Sequence, residues 1–135
     1  LIEKAFLKNV EEIKKFGHEI ILIYPVPEMA FNVPRKIYND IVIEKNQKIK
    51  IFSSSYNVFT ERNKEIFKLF DKIDSNKLHR VYPHTHFCNK LIKNRCVANS
   101  EKEIYYWDDD HLSLQGSRLV VKDIINKINL MKDNK

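Results

Sequence analysis

Two short segments constrain most of what this chain can fold into. Ile20-Ile21-Leu22-Ile23-Tyr24 is nearly continuous in apolar character and stops at Pro25 and Pro27, while Leu78-His79-Arg80-Val81-Tyr82 stops at Pro83. Short runs bounded this way read as strands covered on both faces, the habit of a parallel sheet, because proline cannot extend a ladder. A helical pattern precedes each. Ile2, Phe6, Val10, Ile13 and Phe16 recur at helical spacing over residues 1–16, and Gly17 stands where a C-cap belongs. Thr60 reads as the N-cap of a second helix, whose stripe is Ile66, Leu69, Phe70 and Ile73. Between them, Pro34 can open a helix through Arg35 to Ile43. Ile49 and Ile51 alternate with Lys48 and Lys50 as a weak strand, and Ser53-Ser54-Ser55 reads as loop. A polar loop from His84 to Glu103 holds both cysteines. Ser113 then caps a final helix with the stripe Val120, Val121, Ile124, Ile125, Ile128 and Met131. Helix, strand, helix, strand, loop, helix is an α/β order, half of a doubly wound domain.

Composition narrows the function. The 135 residues amount to one domain or part of one. Two glycines, Gly17 and Gly116, leave no room for a phosphate-cradling loop or a dinucleotide fingerprint. The net charge is +6, but 19 of the 24 basic residues are Lys, alongside 13 Asn and 17 Ile, the set that AT-rich codons favour. The lysines are also dispersed, so no nucleic-acid partner is expected. No apolar run approaches the ~20 residues that cross a bilayer. A chain opening on Leu1 reads as a piece of something longer, a single domain fragment over residues 1–135.

The sharpest chemical feature is Trp107-Asp108-Asp109-Asp110-His111-Leu112-Ser113. Three adjacent carboxylates repel one another unless something uses them. An Asp three residues before a His, on a turn, can set its carboxylate against Nδ1 and leave Nε2 free to take a proton from a nucleophile. Asp108 and His111 have that spacing; the alternative is a solvated acidic loop that caps the next helix. His84-Thr85-His86 has the spacing of a zinc pair on an extended segment, completed by Asp108 or His111, or else is two exposed histidines. Tyr105, Tyr106 and Trp107 can line an acyl or sugar pocket or serve as core and rim. Arg62 and Arg80 are candidates for buried pairing partners. Cys88 and Cys96 are free thiols in a reducing compartment and a disulfide in an oxidising one.

Several stretches, in order, resemble the C-terminal SGNH domain of acyltransferase-3 membrane O-acyltransferases. They are Ile20 to Glu28, Tyr56 with Arg62-Asn63, Val81-Tyr82-Pro83 with Cys88 and Cys96, and Tyr106 to Ser113 followed by Gly116, spanning roughly residues 18–125. The resemblance implies the C-terminal portion of a three-layer α/β/α, flavodoxin-like SGNH domain. It implies His111 as general base and later acid, with Asp108 orienting it. The implied reaction passes an acyl group, acetyl first, from an acyl donor through an acyl-serine to a cell-surface glycan such as lipopolysaccharide. The implied partners are the upstream part of the domain and a membrane acyltransferase domain, with no cofactor. The implied place is the periplasmic side of an inner-membrane protein, where Cys88 and Cys96 would be paired. The family's Gly-Asp-Ser block is not found in these residues, nor are the Gly and Asn blocks that complete its oxyanion hole. Ser53, Ser54 and Ser55 do not resemble a nucleophile turn. The fragment is therefore expected to be inactive alone. An esterase, a non-catalytic glycan-binding module, and a metal-dependent hydrolase using Asp108, Asp110, His111 and His84 are the alternatives.

Overall fold

The leading stripe forms helix α1 (Ile2–Lys15). Gly17 ends it with φ +74° and returns its N–H to Lys14 O at 2.9 Å, a left-handed cap that suits glycine. The computed structural model describes residues 2–133, so residues 1, 134 and 135 of the expected domain lie outside the described residues. Strand β1 (Ile20–Ile23) runs parallel to β3 (Leu78–Val81), with Ile20 opposite Leu78 and Ile23 opposite Val81. Alternation then sorts the side chains. Ile20, Leu22 and Leu78 meet Phe6, Leu7 and Val10 of α1 and Phe67 and Phe70 of α3 (Tyr56–Asp71). Ile21 and Val81 meet Leu119, Val120 and Ile124 of α5 (Leu114–Asp133) on the other face. A parallel pair between two helical layers is the expected α/β/α arrangement, with two strands in its middle layer among the described residues.

The apolar stripes exceed what the fold covers. Ile2, Ile13 and Phe16 of the first stripe stay exposed, as do Ile23, Val121, Ile125 and Ile128, while Leu7 packs inward in their place.

Helix α2 (Val33–Tyr38) begins where Pro34 predicts, capped by Asn32 Oδ1, which accepts from Arg35 N at 3.0 Å, and it runs on as a π-turn over Asn39–Ile43. The structure differs from the sequence expectation at several places, a helical turn at His84–Phe87 in the expected loop, where the zinc-pair spacing needed an extended segment, among them. Ile49 and Ile51 form no strand, because the neighbouring backbone is claimed by one buried side chain. Asn99 accepts from Phe52 N and donates to Lys50 O, each at 2.9 Å. The triple serine is a strand instead, β2 (Ser53–Ser55), antiparallel to β4 (Arg95–Val97), which lies inside the segment read as loop. Arg95 donates to both the hydroxyl and the carbonyl of Ser53, so partner contacts rather than propensity make this pair. Lastly, α3 starts at Tyr56. Ser55 Oγ accepts from Val58 N, and Thr60 lies within the helix, donating to Asn57 O.

A short helix, α4 (His84–Phe87), leads to Cys88, which forms a disulfide with Cys96 of β4. Both sulfur-bearing residues are buried. Closing a loop of sequence separation 8 removes about 2.5 kcal/mol of unfolded-chain entropy. The double variant Cys88→Ala/Cys96→Ala is expected to melt about 10 °C lower, by thermal denaturation with and without reductant. A difference under about 2 °C would contradict that account.

Candidate active site

The segment from Tyr105 to Ser113 is held at both ends before it turns. Tyr106 is 1% exposed, and its hydroxyl donates to Pro27 O at 2.7 Å. At the far end Ser113 N bonds to Tyr105 O, and Ser113 Oγ accepts from Gly116 N at 3.2 Å, the cap of α5 expected from the sequence. Trp107 N closes the turn onto His111 O at 2.8 Å.

Inside that turn Asp108 does two jobs. Its Oδ1 accepts from Asp110 N at 3.0 Å and from His111 N at 2.8 Å, an Asx-type turn that shapes the backbone. Its Oδ2 accepts from His111 Nδ1 at 2.8 Å, and Asp110 Oδ1 lies 2.9 Å from the same nitrogen. With Nδ1 donating, the lone pair sits on Nε2. The side chain of His111 is 75% exposed, so Nε2 is open to a reactant. The electrostatics agree with the geometry. The backbone N–H groups of His111 and Asp110, then the imidazole itself, hold the Asp108 carboxyl well below the usual carboxylate range. The hydrogen bond from Asp108, then the charges of Asp108, Asp110 and Asp109, raise the His111 pKa. A raised pKa makes the neutral imidazole a stronger base.

A second wall stands against this turn. Met29 N donates to Asp109 O at 2.7 Å and Val33 N to Asp108 O at 3.0 Å, so the loop after β1 and the first residue of α2 grip the acidic turn through backbone groups. Ala30 in that loop takes φ 62°, the left-handed region that a non-glycine residue enters at a cost. Glu28 ties the loop to α3 through Arg62 at 2.8 Å. Sequence reasoning did not assign this loop a role; the Pro25-Val26-Pro27 stop after the strand was its available signal. Arg62 is paired but well exposed, not buried as expected. Arg80 is the partly buried one, donating to Tyr24 Oη and Ile73 O.

The remaining candidates separate. His86 Nε2 pairs with Asp123 of α5 at 2.6 Å. His84 packs against Phe59, Phe67 and Tyr82, its Nδ1 buried without a partner and its pKa lowered by that burial. The two histidines therefore face different neighbours, and the zinc-pair spacing brings no pair together. Asp108, Asp110 and His111 do set one ligand atom each within 4.8 Å of one another, and His84 is not in that group. Among the aromatics, Tyr106 is a buried strut, Tyr105 packs on Phe87, and Trp107 is 76% exposed beside the turn. Ser53 serves Arg95, Ser55 caps α3 and Ser113 caps α5, and among the described residues no serine hydroxyl bonds to His111.

The comparison with protein families agrees with the resemblance drawn from the sequence. The family model of the SGNH domain fused to AT3 domains matches residues 2–126. No curated protein and no solved structure matches the chain.

Proposed function

The chain belongs to the family of SGNH domains that occur fused to AT3 domains, and from that membership we propose that it carries the base half of an acyl-transfer centre. Residues 1–135 are then the C-terminal portion of one such domain, and a serine from an upstream portion meets His111. The serine Oγ attacks the donor carbonyl and its proton passes to Nε2. The imidazolium returns that proton to the donor's leaving group, leaving an acyl-serine. A glycan hydroxyl then attacks the acyl-serine, gives its proton to Nε2, and the serine is regenerated by the same proton. Asp108 keeps the ring in the tautomer that both half-reactions need and stabilises the transient positive charge. The acyl group in this reading is acetyl, and the acceptor a cell-surface glycan on the periplasmic side of the inner membrane. Among the described residues no helix is long and apolar enough to cross a membrane; this reading assigns the membrane portion to the AT3 domain of the family.

The observation that carries the proposal is the asymmetry of His111: Nδ1 is fastened to Asp108 at 2.8 Å while the rest of the ring is open. The test is glycan acylation by the full-length protein with His111→Ala, and undiminished acylation overturns the reading.

A further inference from the structure

The π-turn that follows α2 sorts its side chains in reverse. Asp40 is 3% exposed, while Tyr38, Ile41, Val42 and Ile43 beside it stay exposed, Ile43 at 64%. A carboxylate inside and a run of aliphatics outside inverts the usual arrangement. Hydrogen bonds show what holds it so. Asp40 Oδ1 accepts from Asn46 Nδ2 and from Lys50 Nζ, each at 2.8 Å. Asp40 O accepts from Asn46 N at 3.2 Å, and Glu44 N returns to Asn39 O at 2.9 Å, the wide bond of a π-turn. Lys45 leaves the turn with φ 55°, in the left-handed region that a non-glycine residue enters at a cost. A turn pinned through Asp40 in this way holds its aliphatic residues outward.

The charges around that run are sorted as well. Residues 35–50 carry five cations and two carboxylates. Lys50 takes both carboxylates, Asp40 at 2.8 Å and Glu44 at 3.5 Å. Arg35, Lys36, Lys45 and Lys48 are exposed and, among the described residues, enter no ion pair. We propose that residues 38–43 are a docking element for an anionic phospholipid surface. The aliphatics and the tyrosine enter the interface among the headgroups, and the flanking cations meet the lipid phosphates. Charge selects this occupant over others. A second copy of the chain would bring the same four cations against these, at a repulsive cost. The core of a protein–protein interface is depleted in lysine, and three of the four cations here are Lys. At a lipid surface each of them adds attraction instead. The proposal asks nothing of His111 and stands whether or not acyl transfer is the reaction.

The test uses full-length protein with Val42→Cys carrying a bimane label, in vesicles of equal parts phosphatidylglycerol and phosphatidylcholine. Cys88 and Cys96 are paired and take no label. Full-length protein without Val42→Cys, treated identically, supplies the background. Lipids with brominated acyl chains, which quench on contact, are expected to quench the label. Quenching is expected to fall when phosphatidylcholine is the only lipid. Lys45→Glu/Lys48→Glu is expected to lower the ratio of lipid-contacting to free turn by about twentyfold, at about fivefold for each cation. Both lysines are exposed and outside any ion pair among the described residues, so the pair of changes leaves the fold in place. A label that stays unquenched and open to aqueous iodide overturns the proposal. So does a label unquenched but shielded from iodide, which would put protein over the turn. Quenching that is the same in phosphatidylcholine alone, or unchanged by Lys45→Glu/Lys48→Glu, overturns it too.

Discussion

Full-length protein carrying His111→Ala is expected to lose acyl transfer by about 10⁴-fold or more, the size of loss that follows removal of a triad base. Asp108→Asn should behave differently in both size and pH dependence. It removes the carboxylate that orients Nδ1, but Asp110 Oδ1 lies 2.9 Å from the same nitrogen. Its loss is therefore expected to be smaller than that of His111→Ala, and the Asp108→Asn/Asp110→Asn pair to approach it. The pH profile gives an independent readout. Only neutral imidazole accepts a proton, and the neighbouring carboxylates raise the His111 pKa. Activity should thus rise with pH through a midpoint above the ordinary imidazole value of ~6.5. Asp108→Asn should move that midpoint downward. The stability linkage has the opposite sense: the protonated ring is favoured by folding at low pH, and that contribution disappears as pH rises through the raised folded-state value. A profile with the same midpoint in wild type and Asp108→Asn would show that the carboxylate does not tune the base.

Gly116→Ala should be the most damaging single-methyl change available near the site. A Cβ there would stand 2.2 Å from Tyr105 O and 3.1 Å from Leu112 Cδ2. The carbonyl cannot retreat easily, since Tyr105 O already accepts from Ser113 N and Tyr105 N is bonded to Ala98 O. Something in the backbone between β4 and α5 must shift. The expected cost is about 3 kcal/mol, as for overpacking at a rigid position, or a melting temperature about 10 °C lower. The shift should also reach the Asp108–His111 turn, which is framed by the same Tyr105–Ser113 bond. Denaturant unfolding is the measurement; a loss below about 0.5 kcal/mol, ordinary for a surface change, would mean the α5 start is far softer than its contacts indicate.

Sequence reasoning reached different parts of the molecule unequally, and the division has a physical basis. α1 and α5 declare themselves by period, β1 and β3 by short apolar runs that stop at proline, and the Asp108–His111 bond by a spacing of three residues, because all of these are local patterns. Ser53-Ser54-Ser55 became a strand through contacts with Arg95 and Val97, some forty residues away, which no local propensity records. Thr60 was the N-cap expected; the strand that ends at Ser55 starts the helix earlier, with Ser55 as its cap. The apolar stripe on α5 was visible too, and Val121, Ile125 and Ile128 of it stay exposed. The backbone grip of Met29 and Val33 on the acidic turn involves no side chain at all, so residue types could not have signalled it.

That grip also sets an order of assembly. The Asp108–His111 bond spans three residues and can form as soon as the turn does, whereas Tyr106 reaches Pro27 across 79 residues of chain. Contacts of such separation wait for most of the fold, since the closure entropy must be met first. The base is thus made early and its seat late. In native-state hydrogen exchange the amides of Met29 and Val33 should consequently report opening of the whole domain, while the His111 amide exchanges through the turn's own fluctuation.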